Sequence, residues 1–284
     1  MLTLHNGLEF PKYHFGTFRL SGESCYDSVR CAIDEGYLGI DTATVYRNEA
    51  IVSSAIYDSK KEIFLTTKLN PSETGYNEAI QAFHASLDRM QRASVDLLLI
   101  HWPGKAKLSP SDPLNRKARI DTWKALEDIY LSKKANSIGV SNFTVDHLKQ
   151  LNDDGAQVIP MVNQFELHLE LQQRELVEYC RHHNIIVQSY SPFGGERVPV
   201  MDVVRRYFQV PAADLCLQAA AKLADSVVVK SATPSRIKQN LIALNQSIQI
   251  KEDISRFDID RHYCWNPYTV AYVSFSETQN RVAK

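Results

Sequence analysis

The run Val95 to Pro103, V-D-L-L-L-I-H-W-P, carries apolar residues over Leu97 to Ile100 and then stops in His101, Trp102 and Pro103. A continuous apolar run of this length reads as a strand buried on both faces, as parallel strands are. Pro103 cannot continue a ladder, so the imidazole stands at the strand's carboxyl end. Two earlier runs end alike, L-G-I-D-T-A at Asp41 and I-F-L-T-T-K-L at Lys68. A carboxylate, an ammonium and an imidazole on three successive strand ends lie where α/β enzymes keep their chemistry. Singly, each has a plainer reading: a loop-capping aspartate, a solvated lysine, a core histidine. Jointly they point to catalysis.

The elements that must position them alternate along the chain. Met1 to Pro11 reads as a hairpin turned by Asn6-Gly7. A first strand is expected at Phe15–Arg19, followed by a helix from Ser24 to Gly36, where glycine suits a helix end. Strands at 38–43, 63–69, 95–102 and 137–141 each precede a helix, at 48–59, 76–92, 118–134 and 145–153. Strands at 160–165, 185–189 and 226–229 precede helices at 171–184, 212–223 and 234–244. Eight βα units in roughly 250 residues have the size and order of a (β/α)8 TIM barrel. A doubly wound sheet is the competitor, but no G-x-G-x-x-G follows the first strand. The expectation is one barrel domain over residues 1–284, with an N-terminal hairpin plug and a C-terminal tail, 258–284, packed across one end.

The 284 residues carry a formal charge of −1, with 44% hydrophobic and 23% charged residues, which removes the footprint of a nucleic-acid binder. Five cysteines without a C-x-x-C read as reduced thiols of a cytoplasmic protein. No run approaches the ~20 apolar residues of a membrane span, and residues 1–11 lack a signal-peptide layout. No H-x-H or H-E-x-x-H suggests a metal.

Several motifs then follow in a familiar order: H-N-G-L-E-F-P with F-G-T-F, D-T-A-T-V-Y-R-N-E, T-T-K-L, L-L-I-H-W-P, I-G-V-S-N-F, V-N-Q-F-E-L-H, S-Y-S-P-F-G and K-S-A-T-P-S-R-I-K-Q-N. From end to end the chain resembles the aldo-keto reductases, in particular the short members that act on aldehydes, keto-sugars, dicarbonyls or prostaglandin endoperoxides. The resemblance implies a catalytic tetrad of Asp41, Tyr46, Lys68 and His101. Reducing a carbonyl by hydride requires a proton at the developing alkoxide. A phenol, with a pKa of about 10, suits that task if its anion is stabilised. Lys68 would favour the phenolate, Asp41 would hold Lys68 charged, and His101 would direct the substrate oxygen.

The same resemblance implies NADPH/NADP+ without a Rossmann domain. Ser141, Asn142 and Gln164 would hold the carboxamide, Tyr190 would stack on the nicotinamide, and Thr17, Asp41, Ser191 and Phe193 would line the cofactor. At Lys230 to Asn240 the residues speak for themselves. Thr233-Pro234 reads as a helix N-cap and first turn, a helix N-terminus attracts phosphate, and Lys230 and Arg236 add charge. That suits a 2′-phosphate; the resemblance sets Ser231 and Thr233 beside it and Gln239 and Asn240 at the adenine. An amphipathic helix with solvated basic residues is the plainer alternative.

Val229 stands where relatives carry proline, Phe193 where they carry leucine, and the segment 194–201, which can fold over a pyrophosphate, opens on Gly-Gly. Phe18, Val45, Tyr46, His101 and Trp102 match substrate-facing positions, with Asn70 as a polar break and Trp265 closing from the tail. The loop 104–117, with Lys105, Lys107, Arg116 and Lys117, is either solvated or a lure for anions. The partner expected is a small carbonyl compound, with no nucleic acid and no membrane, taken by a monomer or weak oligomer. Two rivals stay open: a cofactor-sensing or regulatory barrel with little turnover, and a Schiff-base enzyme using Lys68 as nucleophile.

Overall fold

A computed structural model describes residues 1–195, 197–246 and 253–268. Asn6-Gly7 turns a hairpin of β1 (Leu2–Thr3) and β2 (Glu9–Phe10), with Gly7 at φ 87°, a conformation that favours glycine. Eight parallel strands then close a barrel: β3 (Tyr13–Gly16), β4 (Gly39–Asp41), β5 (Phe64–Leu69), β6 (Leu97–Ile100), β7 (Ile138–Ser141), β8 (Val162–Glu166), β9 (Ile186–Tyr190) and β10 (Ser226–Val229). They run in sequence order and β10 pairs back to β3. The (β/α)8 barrel expected from the alternation is the observed fold.

Between the strands lie α1 (Gly22–Glu35), α2 (Glu49–Ser59), α3 (Tyr76–Met90), α4 (Leu114–Leu131), α5 (Val145–Asp153), α6 (Arg174–His182), α7 (Pro199–Tyr207), α8 (Ala212–Leu223) and α9 (Pro234–Asn245). The pleat splits β6 between two cores. Leu97 and Leu99 meet the hairpin's Leu4 and Phe10 inside the barrel, while Leu98 and Ile100 pack toward the helices. The hairpin thus plugs the amino-terminal end and leaves the carboxyl end for the site.

Three expectations need correction. The first strand spans Tyr13–Gly16 and not Phe15–Arg19. Leu20 N–H returns to the Thr17 carbonyl and Arg19 takes φ 60°, so 17–20 is a turn. The helix expected at 118–134 begins earlier, at Leu114. The stretch 194–201 is not all loop, because α7 starts at Pro199 and buries Val200 and Val204 against Phe208, Ile254 and Phe257. Of the tail expected at 258–284, residues 258–268 cross the carboxyl end as expected; residues 269–284 lie outside the described residues.

Candidate active site

Each member of the expected tetrad reaches the barrel mouth from a different element. Asp41 ends β4 and Lys68 sits one residue before the end of β5, both on the barrel interior, since Lys68 has no exposed surface. Lys68 Nζ donates to Asp41 Oδ1 at 2.5 Å and to the Thr42 carbonyl at 2.9 Å. Tyr46 closes a 3-10 turn, Thr44–Tyr46, that folds back over the mouth. Its ring centroid lies 5.1 Å from Phe18, 5.7 Å from His101, and 5.3 Å from Lys68 Nζ. His101 follows β6, with its Nδ1 buried and unpaired.

The electrostatics depart from the simple expectation. Burial, then the Asp41 charge and the Cys264 thiol, hold the Tyr46 phenol well above its ordinary range, so Lys68 does not draw it down to the phenolate. Burial also lowers Lys68, opposed by Asp41. His101 falls well below its usual value, by burial first and by the Lys68 charge second, and is therefore neutral. The proton rests on tyrosine, and the imidazole offers one N–H donor. Lys68 is enclosed and donates to two oxygens, which holds its ammonium in place beside Asp41.

Supporting residues went unassigned in the sequence, although two of them, Asn48 and Glu49, lie within a quoted motif. Asn48 accepts from Thr42 Oγ1 (2.7 Å) and donates to the Thr17 and Leu20 carbonyls (both 2.9 Å), tying the β3 and β4 exits together. Glu49, buried, accepts from Thr67 beside Lys68, from Ser86, and from two nitrogens of Arg89. Glu73 accepts from Thr44 Oγ1 and from Asn70 N–H, both at 2.7 Å, and so pins the turn that carries Tyr46. Only the R-N-E spacing after tyrosine marked the first two; nothing marked Glu73.

The residues expected to hold a nicotinamide carboxamide form one connected set. Ser141 Oγ donates to the Gln164 carbonyl at 2.7 Å. Asn142, at φ 63°, donates to the His101 carbonyl at 2.9 Å and accepts from Tyr190 O–H at 2.8 Å. Gln164 Nε2 reaches Asp41 Oδ2 at 2.8 Å. Thr17 donates its hydroxyl to the Asp41 carbonyl at 3.0 Å. Strand-end groups buried together satisfy one another, so a ligand would meet the donors and acceptors that these bonds leave over. Ser191 lies at φ 52° beneath the tail, accepting from Cys264 Sγ, and Phe193 bridges the barrel core and the tail cluster.

At the end of β10 the second group appears. Lys230, Thr233, Arg236 and Gln239 are exposed, Ser231 is half-buried and Asn240 is buried. Thr233 is the N-cap of α9 but its side chain makes no capping bond, and Pro234 takes the first turn. The helix start therefore carries no side-chain cap and lies beside the Arg236 guanidinium, an arrangement of dipole and charge that fits a phosphate. The loop 104–117 does not gather charge in the same way. Lys105 lies 3.5 Å from Glu78, Arg116 pairs with Asp154 at 2.7 Å, and Lys117 pairs with Asp121 at 2.6 Å.

Phe18 and Val45 are half-buried at the mouth, and Trp102 is buried with its ring centroid 6.1 Å from Trp265. The tail is held by an unforeseen anchor, Glu166 at the end of β8. It accepts from the N–H groups of Tyr263 (2.8 Å) and Cys264 (3.1 Å) and faces His168 at 3.1 Å and His262 at 3.3 Å. Burial raises this carboxyl, but the His168 and His262 rings and the Tyr263 N–H outweigh it and bring it down to about 2. Gly194, at φ 76°, lies so close beneath Tyr263 that a Cβ there would come within 2.7 Å of its ring. Among the described residues no three His, Cys, Asp or Glu side chains converge to hold a metal, and no helix is long and apolar enough to cross a membrane.

A parallel barrel whose mouth gathers Asp41, Tyr46, Lys68 and His101 defines a class of carbonyl oxidoreductase, and comparison with known proteins agrees. Residues 12–199 match the Aldo/keto reductase family, and the chain belongs to it. It is 43% identical over 193 residues, 66% of each chain, to the glyoxal reductase of Bacillus subtilis (strain 168). It is 37% identical over 250 residues, 84% of each chain, to the 9,11-endoperoxide prostaglandin H2 reductase of Trypanosoma cruzi (strain CL Brener). Among solved structures, the Bombyx mori aldo-keto reductase in complex with NADP superposes with a TM-score of 0.81 at 26% identity, covering 96% of this chain and 97% of that one.

Proposed function

We propose that the protein reduces small aldehydes and ketones to alcohols with NADPH, Tyr46 delivering the proton. The observation that carries this reading is the convergence of Tyr46, His101 and the Lys68–Asp41 pair on one barrel mouth. Ser141, Asn142, Gln164 and Tyr190 would hold the nicotinamide end, and Lys230, Ser231, Thr233 and Arg236 the adenosine phosphate. Bound NADPH supplies the hydride. His101, neutral, donates an N–H to the substrate oxygen and fixes its direction. Tyr46 keeps its proton until negative charge develops on that oxygen; even a phenol raised above its ordinary pKa of about 10 is a far stronger acid than an alcohol. Lys68, charged and held by Asp41, then lies near the tyrosinate that forms. Phe18, Val45 and Trp102 exclude water from the reacting centre, with Trp265 alongside.

The relatives named for glyoxal and for a prostaglandin endoperoxide favour dicarbonyls and other activated oxygen functions as substrates. Following NADPH absorbance against a panel of aldehydes, dicarbonyls and keto-sugars, with NADH in parallel, tests the proposal. Oxidation of NADPH by at least one class, with NADH at least tenfold poorer, is expected. Tight NADPH binding without turnover on any substrate would contradict it and favour a cofactor-sensing barrel.

A further inference from the structure

Below the tetrad a line of polar side chains runs down the barrel interior, and two of its members, Gln188 and Ser226, have no part in the chemistry described so far. Gln164 Nε2 donates to Asp41 Oδ2 at 2.8 Å and to Gln188 Oε1 at 2.7 Å. Gln188 Nε2 donates to Ser226 Oγ at 3.0 Å, and Ser226 donates to the Pro11 carbonyl at 3.3 Å. Gln188 and Ser226 have no exposed surface and Gln164 has 3%. The line crosses β4, β8, β9 and β10 and ends on the hairpin plug.

Its direction is fixed from the bottom. A carbonyl only accepts, so the Ser226 hydroxyl must donate to Pro11, and its oxygen is left to accept. Gln188 must then turn its N–H toward Ser226 and its Oε1 toward Gln164. Gln164 meets two acceptors, Gln188 Oε1 and the Asp41 carboxylate, and answers with both hydrogens of its amide nitrogen. A flipped Gln164 would set its oxygen against two oxygens in a buried site, a costly arrangement. What Gln164 retains for a bound group is one carbonyl acceptor.

We propose that Gln188 is a positioning residue for the cofactor: by fixing the Gln164 amide it makes the site select a nicotinamide ring that bears a primary amide, whose N–H the Gln164 carbonyl accepts. This rests on the cofactor reading above, and its test is a binding measurement independent of turnover. Gln188→Met keeps the volume and removes the acceptor; Ser226→Ala leaves Gln188 in place and removes only the group that orients it. Fluorescence titration would compare NADPH with its reduced 3-acetylpyridine analogue, in which a methyl ketone replaces the amide.

Wild type should prefer NADPH by about tenfold, the worth of one buried hydrogen bond. Gln188→Met should weaken NADPH by about that factor, leave the analogue within threefold, and so erase the preference; Ser226→Ala should move the same way by less. Equal loss for both ligands would reduce Gln188 to a structural role and overturn the proposal. Unchanged preference in both variants would overturn it too, as would a wild type with no preference while it still turns over NADPH. A wild type that binds neither ligand would remove the cofactor reading and this inference together.

Discussion

Tyr46 and His101 are both half-buried at the mouth, and burial pushes them in opposite directions, the phenol up and the imidazole down. Both shifts favour the uncharged form, as burial must. The Tyr46 proton is therefore present throughout the neutral range, and His101 carries no charge in it. The rate of reduction should stay level from about pH 6.5 to 9, because neither group titrates between ordinary values of about 6.5 and 10 once shifted outward. A pH–kcat/KM profile checks this, and a limb near pH 7 would assign His101 the charged state the geometry denies it. Asp41 and Lys68 were legible in the sequence because each closes an apolar run. The protonation of Tyr46 was not, since it depends on how much water the folded mouth excludes.

At the scale of elements, α9 and the tail carry the next two expectations. Arg236→Ala should raise the dissociation constant for NADPH about tenfold or more, the loss of a charge-assisted bond, and leave that for NADH within about twofold. Comparing the two titrations isolates the 2′-phosphate. Glu166 anchors the tail with a pKa lowered to about 2 from 4.5. A depressed carboxyl stabilises the fold fully above its unfolded pKa and loses that effect as pH falls through its folded one. The shift corresponds to roughly 3 kcal/mol at neutral pH. Denaturant melts of wild type and Glu166→Gln should differ most above about pH 5, draw together as pH falls, and converge only at about pH 2 and below. The helices with one clean apolar stripe, such as α5 and α8, were read to the residue. The first strand was misplaced because Phe15 to Arg19 continues the alternation past Gly16, where the chain turns. Helix α7 was missed behind Gly194-Gly195, which signal a loop, although Val200 and Val204 mark its buried face.

For the whole molecule, alternation of apolar runs and amphipathic helices was enough to give a closed parallel barrel, because eight such units have few other ways to bury both faces of their strands. The order of motifs carried the family. What alternation does not encode is the interior: His14, Thr66, Gln188 and Ser226 look like ordinary strand residues until closure turns them inward together. The same closure brings Tyr46, from a turn, onto His101 and Lys68 from two strands. The most direct test of that convergence is single-turnover reduction by Tyr46→Phe alongside an NADPH titration. NADPH affinity should stay within about twofold of wild type while the rate falls about 100-fold or more, the size of a lost general acid. A variant that binds NADPH and reduces its substrate at nearly the wild-type rate would contradict it.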